Sequence, residues 1–380
     1  MNGFTRIHKT FDFQKTDRIP VFEQSVFGSV VSEILGRPAL GFASDLHFEE
    51  AGARIRGTNA FLDFLEKWKN DYKDFVSSLD MDMVTPPWLL WETPSEQLDE
   101  FTFAYRNEKQ EIVRRYDPVS QTFSIVRKNP VNEDPESLKN QISEMANQEK
   151  NDPFPEEYYE LLTWMRAIFG KERALAGGGF LGLPMETDWM ILLMTDPGAV
   201  REYLQIMAER EITGMKRQEK LGVTVINGGG DLATTRGPFY SPELFRTVVL
   251  PSLKRVIKKC HELRMKYIYR TDGDIRPMEK LLLNESGTDG YGEIDIDAGM
   301  EFPELRKNHP KLTLFGGLSC GTLLLNGSEK EIVEETKRLK NTLGTPGGWA
   351  FGSSNTLLPG TNIRGYMAAI GELQGNGKKV

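Results

Sequence analysis

Eight short apolar runs, each followed by a stretch of helical periodicity, constrain this 380-residue chain more than any other feature. They occupy residues 18–24, 80–87, 173–180, 223–230, 266–273, 288–295, 311–317 and 348–354. Short runs bounded by Gly, Pro and Asp are the pattern of buried strands, and parallel strands need crossovers of helix length between them. With no dinucleotide fingerprint at a switch point, the alternation predicts a (β/α)8 TIM barrel in preference to an open doubly wound sheet. The helical stretches are punctuated as helices should be. Ser241-Pro242 supplies an N-cap and a first-turn proline, with Pro251 expected to kink the helix. Ser328 and Glu331 form a capping box, Asp196-Pro197 opens a helix running to about Leu221, and residues 59–77 place Phe61, Leu65, Trp68 and Tyr72 at helical spacing.

One interval breaks the rhythm. About 85 residues separate the second and third runs, and within them residues 101–116 and 122–128 alternate as a hairpin would, turning near Asn107 and Glu108. The polar, Pro-, Asn- and Glu-rich stretch after them predicts a loop and a surface helix. Residues 92–160 are therefore expected to be a hairpin-plus-helix insertion, too polar to own a core, within one domain spanning 1–380.

Charge and cysteine content narrow the function. Lys and Arg number 47 against 55 Asp and Glu, a net charge of −8, which excludes a general nucleic-acid or anionic-membrane surface. Two cysteines, Cys260 and Cys320, cannot form a disulfide framework, and no run of about 18 apolar residues or signal-type apolar segment is present, so a cytoplasmic protein is expected. Both cysteines are expected to be small buried residues.

In a barrel the chemistry stands at the carboxyl ends of the strands. There the sequence offers Glu23 and Gln24, Asp82 and Thr85, Asn227 and Asp231, Arg270 and Asp272, Glu293 and Asp295, and Ser353, Ser354 and Asn355. Asp231, Asp272 and Glu293 fall on strands that would be neighbours. Carboxylates converging on one cleft raise each other's pKa or hold a cation, so these three are the candidate catalytic and metal-ligating residues. Arg270, Asn355, Asp82, Glu23 and Gln24 are candidate substrate contacts. The four histidines stand away from strand ends, so neither a Ser-His-Asp triad nor a zinc site of nitrogen and sulfur ligands is visible. The glycines of residues 177–182 match G-x-G-x-x-G in form only, because Leu183-Pro184 follows where a helix should start.

From residues 228–257, through RTDGDIRPMEKLLLNESGTDG at 270–290 and FGGLSCGTLLLNGSEKEIVEE at 315–335, to residues 348–370, the sequence resembles the uroporphyrinogen decarboxylase superfamily. The opening DRIPVFEQ at 17–24 shares the likeness. The resemblance implies a (β/α)8 barrel and two known chemistries. The decarboxylase grips a porphyrinogen with an arginine-rich segment that falls here on EQSVFG at 23–28, and its histidine after the eighth strand falls on Asn355. Its substrate-binding aspartate after the second strand has no counterpart in TPPWLL at 85–90. The methyltransferase branch holds zinc with a His-x-Cys pair and a later Cys, which fall on Arg270, Asp272 and Asn355. The hairpin-bearing layout and the opening motif are closer to that branch. The resemblance thus implies methyl transfer from a small methylated compound to a corrinoid carried on a partner protein, assisted by a divalent metal such as zinc bound through oxygen ligands. Decarboxylation of a tetrapyrrole is the alternative, and a barrel that binds a tetrapyrrole or corrinoid without catalysis is a third.

Overall fold

The computed structural model describes residues 1–108, 110–129, 134–147, 151–344 and 346–375. Seven parallel strands form one sheet in chain order: β1 (Met83–Val84), β2 (Ala174–Gly178), β3 (Val225–Gly229), β4 (Lys266–Arg270), β5 (Gly290–Gly292), β6 (Thr313–Phe315) and β7 (Trp349–Ala350). All seven fall inside the expected apolar runs. They are shorter than those runs, and the ends show why. Beyond β1 the Thr85 N–H is taken by the Tyr72 hydroxyl at 3.1 Å, and Pro86 and Pro87 have no N–H to give.

The first run, 18–24, is not a strand. Val21 makes a single parallel bridge to Phe351, next to β7, and the Phe351 N–H donates to the Pro20 carbonyl at 2.8 Å. On its other side the Asp82 N–H donates to the Val21 carbonyl at 2.8 Å, just before β1. The segment therefore touches both edges of the curled sheet. Pro20 removes one donor from its ladder, which keeps the pairing to isolated bonds.

Helices pack around the sheet where the periodicity placed them. Thr58–Leu79 buries Phe61, Leu65, Trp68 and Tyr72, and Pro197–Lys220 begins on the Asp196 side-chain cap. The break near Pro251 takes the form of a π-helical turn over Phe245–Val249. Proline cannot bond the carbonyl four residues back, and that carbonyl, on Thr247, instead accepts Arg201 Nε at 3.1 Å. The capping box at Ser328 is fully formed, with the Glu331 carboxylate accepting the Ser328 N–H at 2.8 Å. Ser328→Ala is expected to cost about 0.5–2 kcal/mol in urea unfolding without affecting the site.

Between β1 and β2 the chain builds a second sheet. Four antiparallel strands, Glu96–Asp99, Thr102–Arg106, Glu111–Asp117 and Thr122–Asn129, stand where one hairpin was expected. The added edge strand is exposed throughout, with Leu98 its one apolar residue, so it carries no apolar alternation to reveal it. This sheet does have a small core. Phe103, Tyr105 and Phe123 pack on Ala51, with Phe48 stacked on Tyr116 at 4.3 Å. The surface helix follows at Pro135–Ala146, burying only Leu138 and Ile142. Among the described residues no helix is long and apolar enough to cross a membrane.

Candidate functional site

The carboxyl ends of β3, β4 and β5 lie side by side because their register is fixed: Arg270 pairs with Gly229 on one side and Gly292 on the other. Gly229 must be glycine, since its φ is +153° and a Cβ there would stand 2.3 Å from the Arg270 carbonyl. Immediately after β5, Glu293 takes a φ of +60°, a conformation that costs a non-glycine residue free energy and clusters at functional sites. The turn aims its carboxylate at its neighbours. Glu293 Oε1 accepts Gln24 Nε2 at 2.7 Å and Arg270 Nη1 at 3.0 Å, and the same Arg270 nitrogen donates to Gln24 Oε1 at 3.2 Å. One cation and one anion thus cancel at the centre of the cluster. Arg270 Nε is buried there with no partner in the protein.

Around this triad stand two acids tuned towards neutrality. Asp272 is half-buried and accepts Asn355 Nδ2 at 3.3 Å. Burial first, and then the charges of Glu293, Asp231 and Asp295, push its carboxyl up to about 6. Glu23 is 1% exposed and fully bonded, accepting the Ser353 N–H at 2.7 Å, the Ser353 hydroxyl at 2.5 Å and the Tyr366 hydroxyl. Burial outweighs these bonds and moves it up to about 7. A void of about 10 Å³, room for about one water, separates Glu23 from Arg270 and Glu293.

The predicted residues divide accordingly. Glu23, Gln24, Arg270, Glu293, Asp272 and Asn355 come together. Asp82 does not. It precedes β1 at the opposite, amino-terminal end, where its buried carboxylate pairs with Arg6 and with Arg18 Nη1 at 2.6 Å and accepts the Val21 N–H at 2.8 Å. It is a structural anchor and not a substrate contact. Asp231 is exposed and reaches Asp272 only as a charge.

The three carboxylates also fail as a metal cradle. Glu293 is turned into Arg270, Asp231 faces solvent, and among the described residues no group of three or more His, Cys, Asp or Glu could hold a metal ion. The donor set Asp231, Asp272 and Glu293 does not fit a divalent ion. Cys320 is half-buried beside the Ser354 hydroxyl, and burial pushes its thiol up, away from the reactive thiolate form.

A cavity of about 580 Å³ opens over this cluster. Its walls are mostly apolar and aromatic, with Phe27, Phe42, Trp88, Phe154, Tyr158 and Phe180 prominent, and Gln24, Asn227, Arg270, Glu293 and Asn355 face it from the strand ends. Arg270 is the one Arg or Lys lining it among the described residues. Sequence reasoning missed a further wall residue, Glu211, because it belongs to a helix and not to a strand end. Its signal was an acid on an apolar stripe: Leu204, Ala208, Glu211 and Met215 share helical spacing and are all buried.

A curled parallel α/β sheet with a cavity at its carboxyl edge defines the structural class. Residues 183–373 match the family model of uroporphyrinogen decarboxylase (URO-D), and the chain belongs to that family. In fold it is similar to a methyltransferase from Methanosarcina mazei, at 16% identity and a TM-score of 0.67 over 99% of both chains. A B12-independent methionine synthase from Shewanella sp. W3-18-1 matches at 12% identity and a TM-score of 0.40, over 57% of this chain and 65% of that one. No match is found among curated proteins.

Proposed function

We propose that this protein is a methyltransferase of the URO-D family, moving a methyl group from a small, uncharged methylated compound to a corrinoid carried on a partner protein. The observation that carries the proposal is the cavity: about 580 Å³, chiefly apolar, with its single guanidinium already neutralised by Glu293. A porphyrinogen with eight carboxylates needs several cationic clamps, each charge-assisted bond worth about 1.5–3 kcal/mol. This wall supplies none to spare. The fold likeness to a methyltransferase and the family membership both support an enzyme. The same reading takes the curled sheet as a (β/α)8 barrel closed by the bridging segment at residues 18–24, with residues 92–160 as an insertion.

The chain's own residues divide the work. Gln24, Arg270 and Glu293 form a rigid, neutral floor that orients the methyl donor. Asp272, hydrogen-bonded to the cavity-lining Asn355 and raised to about 6, holds a proton below about that pH. When the carbon–oxygen bond of a methyl ether breaks, the methyl carbon bonds to the acceptor's electron pair, and the oxygen keeps the bond's electrons and takes the Asp272 proton. No step is assigned to a metal.

The test is anaerobic incubation with chemically reduced cobalamin as acceptor and a panel of methyl ethers, thioethers and amines. Formation of methylcobalamin with at least one donor is expected. No methylcobalamin from any of them would contradict the proposal.

A further inference from the structure

Within the same cavity lies a second polar station, a pair of groups that the mechanism leaves unused, Asn227 bordering the small void beside Arg270 and Glu211 beside the end of β2. Asn227 pairs in register with Gly178 and is only 7% exposed, yet its Oδ1 is buried with no hydrogen-bond partner. Such an orphan is costly unless a ligand or water satisfies it. One residue beyond Gly178, a Cβ on Gly179 would stand 3.4 Å from Glu211 Oε2, so the buried Glu211 carboxyl sits beside the end of β2. It accepts the Phe180 N–H, and both Glu211 and Asn227 line the cavity.

We propose that Glu211 and Asn227 together recognise an uncharged donor–acceptor group of amide type on the ligand. The Glu211 hydroxyl would donate to the ligand's carbonyl, and Asn227 Oδ1 would accept its N–H. The aromatic walls of the cavity would enclose a ring. This deepens the proposed function, since it rests on the cavity being the substrate's seat.

The carboxyl must keep its proton to donate. Burial first, and then the charge of Asp152, raise Glu211 to about 8 against the opposing Phe180 N–H. The other titratable groups coupled to it, Tyr158 and Tyr267, are pushed far above neutrality by burial and stay uncharged. His47, elsewhere on the cavity wall, is pushed down and stays neutral above pH 7. A rise in pH through about 8 therefore converts Glu211 from donor to carboxylate; Glu23, raised to about 7, ionises over an overlapping range, and the Glu211→Gln profile isolates the Glu211 contribution.

Ligand-observed fluorine NMR with three probes of one size tests this without turnover: 4-fluorobenzamide, 4-fluorotoluene and 4-fluorobenzoate. The benzamide is expected to bind about tenfold more tightly than either other probe at pH 7, consistent with the cost of leaving a buried polar group unpaired. That advantage should fall above pH 8. Glu211→Gln, which keeps an N–H donor but cannot ionise, should retain the preference with a flat pH profile, and Asn227→Ala should lose it. Equal affinities, tighter benzoate, no binding by any probe, or a Glu211→Gln profile that still falls above pH 8 would each overturn the proposal. Because binding is read alone, its failure leaves methyl transfer standing, and failure of methyl transfer leaves this station standing.

Discussion

Asp272→Asn is expected to lower methyl transfer by about 10²–10⁴-fold, the usual contribution of a positioned general acid. The asparagine preserves size and the approach to Asn355 but has no proton to give. In the unaltered enzyme the carboxyl titrates near 6, so the rate should fall as pH rises above about 6. The variant's residual rate should lack that fall. Stability moves the other way. A carboxyl raised from the ordinary range binds a proton more readily when folded, so its stabilising effect is present at low pH and lost as pH rises through 6. Removing the charge should therefore raise the melting temperature at pH 8 while activity drops. A merely structural role for Asp272 would predict the reverse pairing, lower stability with an unchanged pH–rate profile.

Asp82→Ala is expected to destabilise the fold by about 3–5 kcal/mol, the cost of stripping one partner from a buried ion pair. Arg6, itself buried, would lose one of its two carboxylates, and Arg18 would keep only the exposed Asp80. The Val21 N–H would lose its acceptor as well, which loosens the segment that touches both sheet edges. Urea unfolding measures the loss directly. Methyl transfer by the variant that remains folded should stay within about twofold, since Asp82 lies at the far end of the sheet from the cavity.

These two aspartates show what was legible in the sequence. Both lie on or beside an apolar run, and the alternation of runs with helices located all seven strands. It could not say where within an eight-residue run the hydrogen-bonded portion falls. The paired part of the second run is only Met83–Val84, which leaves Asp82 before the strand instead of at its carboxyl end. Arg270 and Glu293 were placed correctly as neighbours because parallel register carries strand-end residues to one edge. Their direction was not readable. Glu293, at a positive φ, is ion-paired with Arg270, and Asp231 faces solvent, so the expected metal cradle does not form. Pro20 similarly reduced an expected strand to isolated bridges. Glu211 and the aromatic walls come from a helix and loops, whose approach to the cavity depends on tertiary packing that periodicity does not encode. The small sheet between β1 and β2 was half legible, because its strands with an apolar face alternate and its outermost strand does not.

The measurement that bears most directly on the function is one anaerobic incubation of the protein with uroporphyrinogen, beside another with reduced cobalamin and the methyl-donor panel. A small, charge-neutral cavity predicts methylcobalamin in the second and no coproporphyrinogen in the first. Coproporphyrinogen accumulating in the first, with no methylcobalamin in the second, would contradict it.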